Sequence, residues 1–160
     1  IKYSLANPLK EACKNIFQLT DTQLYVNKEK PDPRWNNVTP RKLLQVVGTQ
    51  LFREDILKYI PELKEMKNTI WIQNFNLWYE NNKNLNIVIA DIRFEDEANM
   101  VINNGGFLIK IKRNSIKHHH SHISEIELVN IDSKYVVNND DDIPSLHQHI
   151  EQIYKHELLL

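Results

Sequence analysis

The stretch Asn84-Leu85-Asn86-Ile87-Val88-Ile89-Ala90-Asp91-Ile92-Arg93 decides the fold class of this chain. Leu85, Ile87, Val88, Ile89 and Ala90 form a short, nearly continuous apolar run, the pattern of a strand covered on both faces, and the run ends on the charges of Asp91 and Arg93. A helical stripe through Ala98, Val101 and Ile102 follows, stops at Gly105-Gly106 and gives way to a second strand over 107–112. Strand, helix, glycine pair and strand predict a right-handed βαβ unit, hence an α/β fold with a parallel sheet flanked by helices. Ligands of such sheets bind beyond the carboxyl ends of the strands, where Asp91, Arg93 and Arg113 all fall. Arg113 also opens a polar loop, which lets it swing over a ligand as a lid residue does. The plainer alternative is that Asp91 and Arg93 cap a helix and pair with each other.

Working outward, Leu9, Ala12, Cys13, Ile16 and Phe17 give a helical stripe over 7–19, opened by Asn7 as cap and Pro8 in the first turn. Cys13 sits in that stripe and reads as a small core residue. Residues 27–38 hold Pro31, Pro33 and Asn36-Asn37 and read as a surface loop. Thr39-Pro40 then starts a helix with Leu43, Leu44, Val47 and Leu51 as its buried face. Its other face carries Arg41, Gln45, Gly48, Thr49, Phe52 and Arg53 at three-and-four spacing, with a glycine that admits a close approach to the backbone. Such an arginine pair is ordinarily a solvated face. A helix over 69–82 with Ile70, Trp71, Phe75, Trp78 and Tyr79 is expected to pack on the sheet. Tyr135-Val136-Val137 reads as a last strand, and 143–160 as a closing helix with Leu146, Ile150, Ile153 and Tyr154 inward. The run His118-His119-His120 lies inside the chain in the polar segment 114–124, which reads as an exposed, lid-like loop rather than a metal site.

The length of 160 residues suits a single domain, and 41% hydrophobic with 26% charged residues excludes a disordered tail, a collagen-like repeat and a coiled-coil rod. A formal charge of -1 gives no global pull toward nucleic acid or a membrane surface, so neither is expected as a partner. One cysteine and no long apolar run or leader point to a cytoplasmic, reducing compartment. Only 3 glycines leave few loops able to cradle phosphate. The five arginines, Arg34, Arg41, Arg53, Arg93 and Arg113, stand at turns, on the polar helix face or at strand ends, while Lys supplies ordinary surface charge. Guanidinium forks bind phosphate oxygens in pairs, so this placement suggests phosphoryl recognition.

Four segments occur in a telling order: Tyr3-Ser4-Leu5-Ala6-Asn7-Pro8-Leu9-Lys10-Glu11, Thr39-Pro40-Arg41-Lys42-Leu43-Leu44-Gln45-Val46-Val47-Gly48-Thr49, Asp91-Ile92-Arg93-Phe94-Glu95-Asp96-Glu97, and His122-Ile123-Ser124-Glu125. Together they resemble the successive motifs of the deoxynucleoside monophosphate kinases of bacteriophages and large DNA viruses. The resemblance implies a three-layer P-loop kinase fold and transfer of the γ-phosphoryl of ATP, with Mg²⁺, to a deoxynucleoside monophosphate. It places Arg41, Gln45, Thr49 and Arg53 on the monophosphate-binding helix and adds Lys10, Trp71 and Glu97 as substrate contacts. Asp91, Arg93 and Arg113 become the catalytic set, with Arg113 the lid arginine and His122 and Glu125 fixing the closing segment of the lid. The family's phosphate loop, G-x-x-x-x-G-K-[ST], does not occur among these residues, and both it and the first strand are expected ahead of Ile1, which starts as if in mid-strand. A phosphomevalonate-kinase-like enzyme and a non-catalytic nucleotide-binding module are the alternatives. Aromatic or amide contacts from Trp35, Trp71 or Gln45 would favour a nucleotide. The sequence leaves base preference open and is compatible with a homodimer.

Overall fold

A computed structural model describes residues 1–113 and 131–158. The expected lid-like loop 114–124, with the histidine run and His122, and Glu125 just after it lie outside the described residues. The chain divides into two compact units, Ile1–Asp91 and Ile92–Leu160.

In the first unit, strand β1 (Lys2–Tyr3) pairs in parallel with β2 (Val88–Ile89), Lys2 opposite Val88 and Tyr3 opposite Ile89. Helices α1 (Asn7–Phe17), α2 (Asp21–Tyr25) and α3 (Pro40–Gln45) follow β1. Cys13, Leu19, Leu24 and Val47 form a buried cluster, packed round by Leu9, Phe17, Leu43, Leu44 and Phe52. Cys13 is a core residue as expected, and burial raises its thiol pKa. Thr39 caps α3 as predicted, its hydroxyl accepting from the Lys42 amide, with Pro40 just inside.

Beyond Gln45 the expected α-helix changes winding: Val46–Asp55 is a π-helix, returning to α geometry in α4 (Ile56–Tyr59). Bonding from i to i+5 widens each turn and moves the faces. Val47 and Gly48 are buried, and five residues on Phe52 is half-buried and Arg53 is buried at 7% exposure. Leu51, assigned to the buried face on α spacing, is turned out at 44% exposure. Helix α5 (Ile70–Tyr79) lays its aromatics on β1: Tyr3 meets Phe75 edge-on at 5.1 Å and Trp78 at 4.5 Å.

The strand read over 84–92 contracts to two residues, and it is not covered on both faces. Leu85 and Val88 are 41% and 64% exposed, and β1 is the strand's one ladder neighbour among the described residues. An apolar run records the character of the residues, not what covers them.

The loop over 27–38 is more ordered than its turn chemistry suggests. Asp32 is 4% exposed and caps a 3₁₀ turn at Pro33–Trp35 by accepting from the Arg34 amide. The same carboxylate takes two guanidinium nitrogens of Arg34, at 3.0 and 2.6 Å, and the Gln23 amide at 2.8 Å. Arg34 is thereby committed within the fold, so its rarity is not a sign of phosphate binding. Arg34 above all, then Gln23, hold the Asp32 carboxyl far below the usual carboxylate range against the opposing effect of burial. A carboxyl with a depressed folded pKa stabilises above its unfolded pKa, ~3.9, and loses that contribution as pH falls through the folded value. Melting temperature followed against pH is therefore expected to drop below about pH 4 in the wild type and to drop less steeply in Asp32→Asn. Identical acid limbs would refute this role.

In the second unit, α6 (Glu95–Asn103) leads to β3 (Ile109–Lys112), which pairs in parallel with β4 (Tyr135–Asn138); α7 (Ile143–Leu158) closes the chain. The glycine pair ends α6 as predicted. Gly105 is left-handed at φ 79°, its amide bonds to the Ile102 carbonyl, and the Gly106 amide bonds to that of Val101. Among the described residues β2 pairs with β1 and β3 with β4, each pair parallel as the α/β reading expects. Hydrophobic pattern identifies buried parallel strands but does not choose their neighbours, since strands consecutive in sequence often lie apart in a sheet. In α7, Leu146, Ile150 and Ile153 are half-buried, whereas Tyr154 is 50% exposed. Glu157 continues the inward stripe instead, accepting from Lys134 and the Tyr135 hydroxyl.

Candidate functional site

At the carboxyl ends of β1 and β2 the first unit opens a cleft of about 410 Å³, lined by Lys2, Tyr3, Ser4, Asn7, Lys10, Tyr25, Ala90 and Asp91. Parallel strands leave their loops at this edge, which is why ligands gather there. Of the residues singled out from sequence, Lys10 and Asp91 reach it. The Asp91 carboxylate accepts from the Ser4 hydroxyl at 2.6 Å, the Leu5 amide at 3.1 Å and the Ala6 amide at 3.0 Å. Asn7, read as the α1 cap, is the first helical residue; Ala6 holds the cap position without a side-chain bond. Asp91 supplies the missing acceptor from a distant strand end. Burial and then the Asp91 charge raise the phenol of Tyr3, which lines the same wall. Opposite, the Lys10 ammonium sits 4.5 Å above the ring of Tyr25.

The helix expected to bind the monophosphate spreads its residues. Arg41, half-buried, pairs with Glu29; Gln45 and Thr49 are half-buried; Arg53 is in the core. Gly48 admits a close approach, but to the protein itself: a Cβ there would stand 2.5 Å from Cδ2 of Leu9. Trp71 donates its indole N–H to the Gly48 carbonyl at 3.1 Å and packs near Phe52. Trp35 likewise donates to the Phe17 carbonyl at 2.8 Å. Both indole N–H groups thus serve the fold.

In the second unit, Arg93 and Arg113 are exposed, Arg113 directly after β3. Glu97 is buried at 4% exposure and accepts from the amides of Arg93 at 2.8 Å and Phe94 at 3.2 Å. Its carboxylate caps the start of α6 and fixes the backbone of Arg93.

Compared with known proteins, residues 22–150 match the family model for deoxynucleotide monophosphate kinase. A protein of Acanthamoeba polyphaga mimivirus named "Putative deoxynucleotide monophosphate kinase" is 43% identical over 144 residues, 86% of this chain and 73% of that relative. The chain belongs to the deoxynucleotide monophosphate kinase family. No solved structure matches it at a significant level. Nothing favours the phosphomevalonate-kinase or non-catalytic alternatives.

For this kinase the sequence reading missed Lys2, Ser4, Asn7 and Tyr25 as walls of the cleft. Ser4 and Asn7 were accessible signals, since they flank the end of β1; Tyr25 was not, because it arrives from the far end of α2. No described helix is long and apolar enough to cross a membrane. Among the described residues no group of three His, Cys, Asp or Glu side chains could hold a metal ion, and both Asp91 oxygens already accept hydrogen bonds. Asp91 alone is no Mg²⁺ cage, and this ion is commonly held by substrate phosphates and water with one or two carboxylates.

Proposed function

We propose that this kinase transfers the γ-phosphoryl of ATP to a deoxynucleoside monophosphate on a P-loop kinase fold. The observation that supports it best is the cleft at the ends of parallel strands, lined by Lys2 and Lys10, in a chain of this family. An acceptor phosphate oxygen forms the new bond to the γ-phosphorus while the bond to the bridging oxygen of ADP breaks. Such transfer rests on in-line positioning and cationic stabilisation of the equatorial oxygens. In this reading Arg41, Gln45 and Thr49 contact the acceptor, Arg53 supports their helix from the core, and Trp71 holds that helix through Gly48. Arg93 and Arg113 meet the phosphoryl charge, Glu97 positions Arg93, and Asp91 shapes the cleft wall. The segment 114–124, with His122 and Glu125, is the lid. Magnesium enters with ATP as its complex.

The test is phosphorylation of each of the four common deoxynucleoside monophosphates by ATP in the full-length protein. Product diphosphate from at least one is expected, and none from any would overturn the reading. Arg41→Ala is expected to raise the acceptor KM roughly 10-fold, the loss of a charge-assisted hydrogen bond, with the ATP KM unchanged. Equal changes for both substrates would return Arg41 to its surface pair with Glu29.

A further inference from the structure

We propose that Trp71 is a positioning residue that holds the segment 46–55 in its π winding, and that the α winding of the same segment is a second state in which Arg53 joins Arg41, Gln45 and Thr49 to receive a phosphate group. The source of that phosphate rests on the kinase reading above, and both substrates carry one. Two side chains of the segment stand where their chemistry disfavours them. Leu51 is 44% exposed and forgoes the burial of its apolar surface, while the Arg53 guanidinium, at 7% exposure, is taken out of water. Both placements follow from the winding. At α spacing Leu51 falls on the stripe of Leu43, Leu44 and Val47, and Arg53 on the face of Arg41, Gln45 and Thr49. π winding occurs mostly as single-turn bulges, often at functional sites, yet here it runs over 10 residues from Val46 to Asp55. Such a conflict between local pattern and fold marks a segment with two states close in free energy, which one contact can tip.

That contact is at Gly48, the third residue of the π segment. From α5 the Trp71 indole donates to the Gly48 carbonyl at 3.1 Å, and from α1 Leu9 crowds the same backbone, where a Cβ would stand 2.5 Å from Cδ2. A carbonyl held by a side chain of another helix is fixed in direction, and the turns that follow start from it. A phosphate on the Arg41 face binds the α state better, because there Arg53 adds a second guanidinium fork. Binding that differs between the two states shifts the population toward the better binder.

The experiment is titration calorimetry on the full-length enzyme with the preferred deoxynucleoside monophosphate, ATP and inorganic phosphate, beside thiol labelling of Leu51→Cys. Cys13 is buried at 0% exposure, so the thiol introduced at position 51 is the accessible one of the two. Trp71→Phe keeps an aromatic ring and loses the donor. It is expected to bind at least one of the two nucleotides about 5-fold tighter, the opposite of what loss of a merely structural bond would do. Leu51→Ser is expected to weaken that binding about 5-fold or more at an unchanged melting temperature, because the leucine is buried in the α state and not in the π state. In Arg53→Met the gain from Trp71→Phe should vanish. Labelling of Leu51→Cys should slow ~3-fold or more at saturating inorganic phosphate, an ion too small to cover the site, and should not slow in the Arg53→Met background. The monophosphate and ATP titrations show which substrate brings the phosphate. Unchanged or weaker binding of both nucleotides by Trp71→Phe, wild-type binding by Leu51→Ser, or labelling indifferent to phosphate would each overturn the proposal. A wild type inactive on every deoxynucleoside monophosphate refutes the kinase reading, and the labelling with inorganic phosphate then decides the two windings by itself.

Discussion

Turnover of the Arg113→Lys enzyme is expected to fall ~100-fold or more, with acceptor and ATP binding nearly unchanged. Arg113 is exposed directly after β3, at the carboxyl end of a parallel strand and at the start of the proposed lid. Lysine there keeps the positive charge but loses the planar fork that meets two oxygens at once. A group that matters only while the phosphoryl is in flight shows this signature, because charge spreads over the equatorial oxygens in the transition state and the ground state gains little from the fork. Arg93→Lys is the companion measurement. Its backbone is fixed by Glu97 at 2.8 Å, so a ground-state phosphate contact is expected there, raising KM at least as much as it lowers kcat. Steady-state kinetics on both variants separate the two roles. Unchanged turnover in Arg113→Lys would make that arginine an ordinary surface residue.

Asp91→Ala is expected to destabilise the protein by ~3 kcal/mol, more than any single surface ion pair here. The substitution strands a hydroxyl and two amides that now donate to one carboxylate at 2.6, 3.1 and 3.0 Å. Hydrogen bonds to a charged group contribute about 1.5–3 kcal/mol each, and partial exposure of the site lets water replace some of that. Asp91→Asn keeps an acceptor oxygen and should lose roughly half as much. Denaturant unfolding measures both. Kinetics add a check on role: if Asp91 shapes the cleft wall, Asn retains much of the activity that Ala loses, whereas equal inactivation of two variants of different stability would make the carboxylate a direct participant. An Asp91→Ala protein unfolding at the wild-type midpoint would refute the structural role.

The places of Lys10 and Asp91 at the cleft were legible because their signals are local. Lys10 lies three residues into α1, just past the end of β1, and Asp91 lies just past β2, positions that follow once the strands are recognised. The helix of Arg41 and Arg53 was legible in its start but not in its winding. A π-helix and an α-helix share the same apolar residues, so the pattern does not separate them; in the fold Leu9 crowds Gly48 and Trp71 donates to its carbonyl. The π winding put Arg53 in the core and Leu51 in solvent. The indole N–H groups of Trp35 and Trp71 meet backbone carbonyls, since a donor takes the acceptor its packing presents.

The sequence by itself determined the start of one helix and the stop of another. Thr39-Pro40 starts α3 and Gly105-Gly106 stops α6 through hydrogen bonds that span at most five residues, which any neighbouring fold would leave intact. It also determined the family, because the ordered motifs are a property of the chain. Tertiary structure alone decided which strands pair, that Asp91 serves Ser4 across 87 positions, and that Tyr25 rather than another aromatic stands under Lys10. Partners so far apart meet only when the whole unit closes. Local propensity is blind to them, and the burial and geometry of the closed unit select which charge, hydroxyl and ring share one cleft.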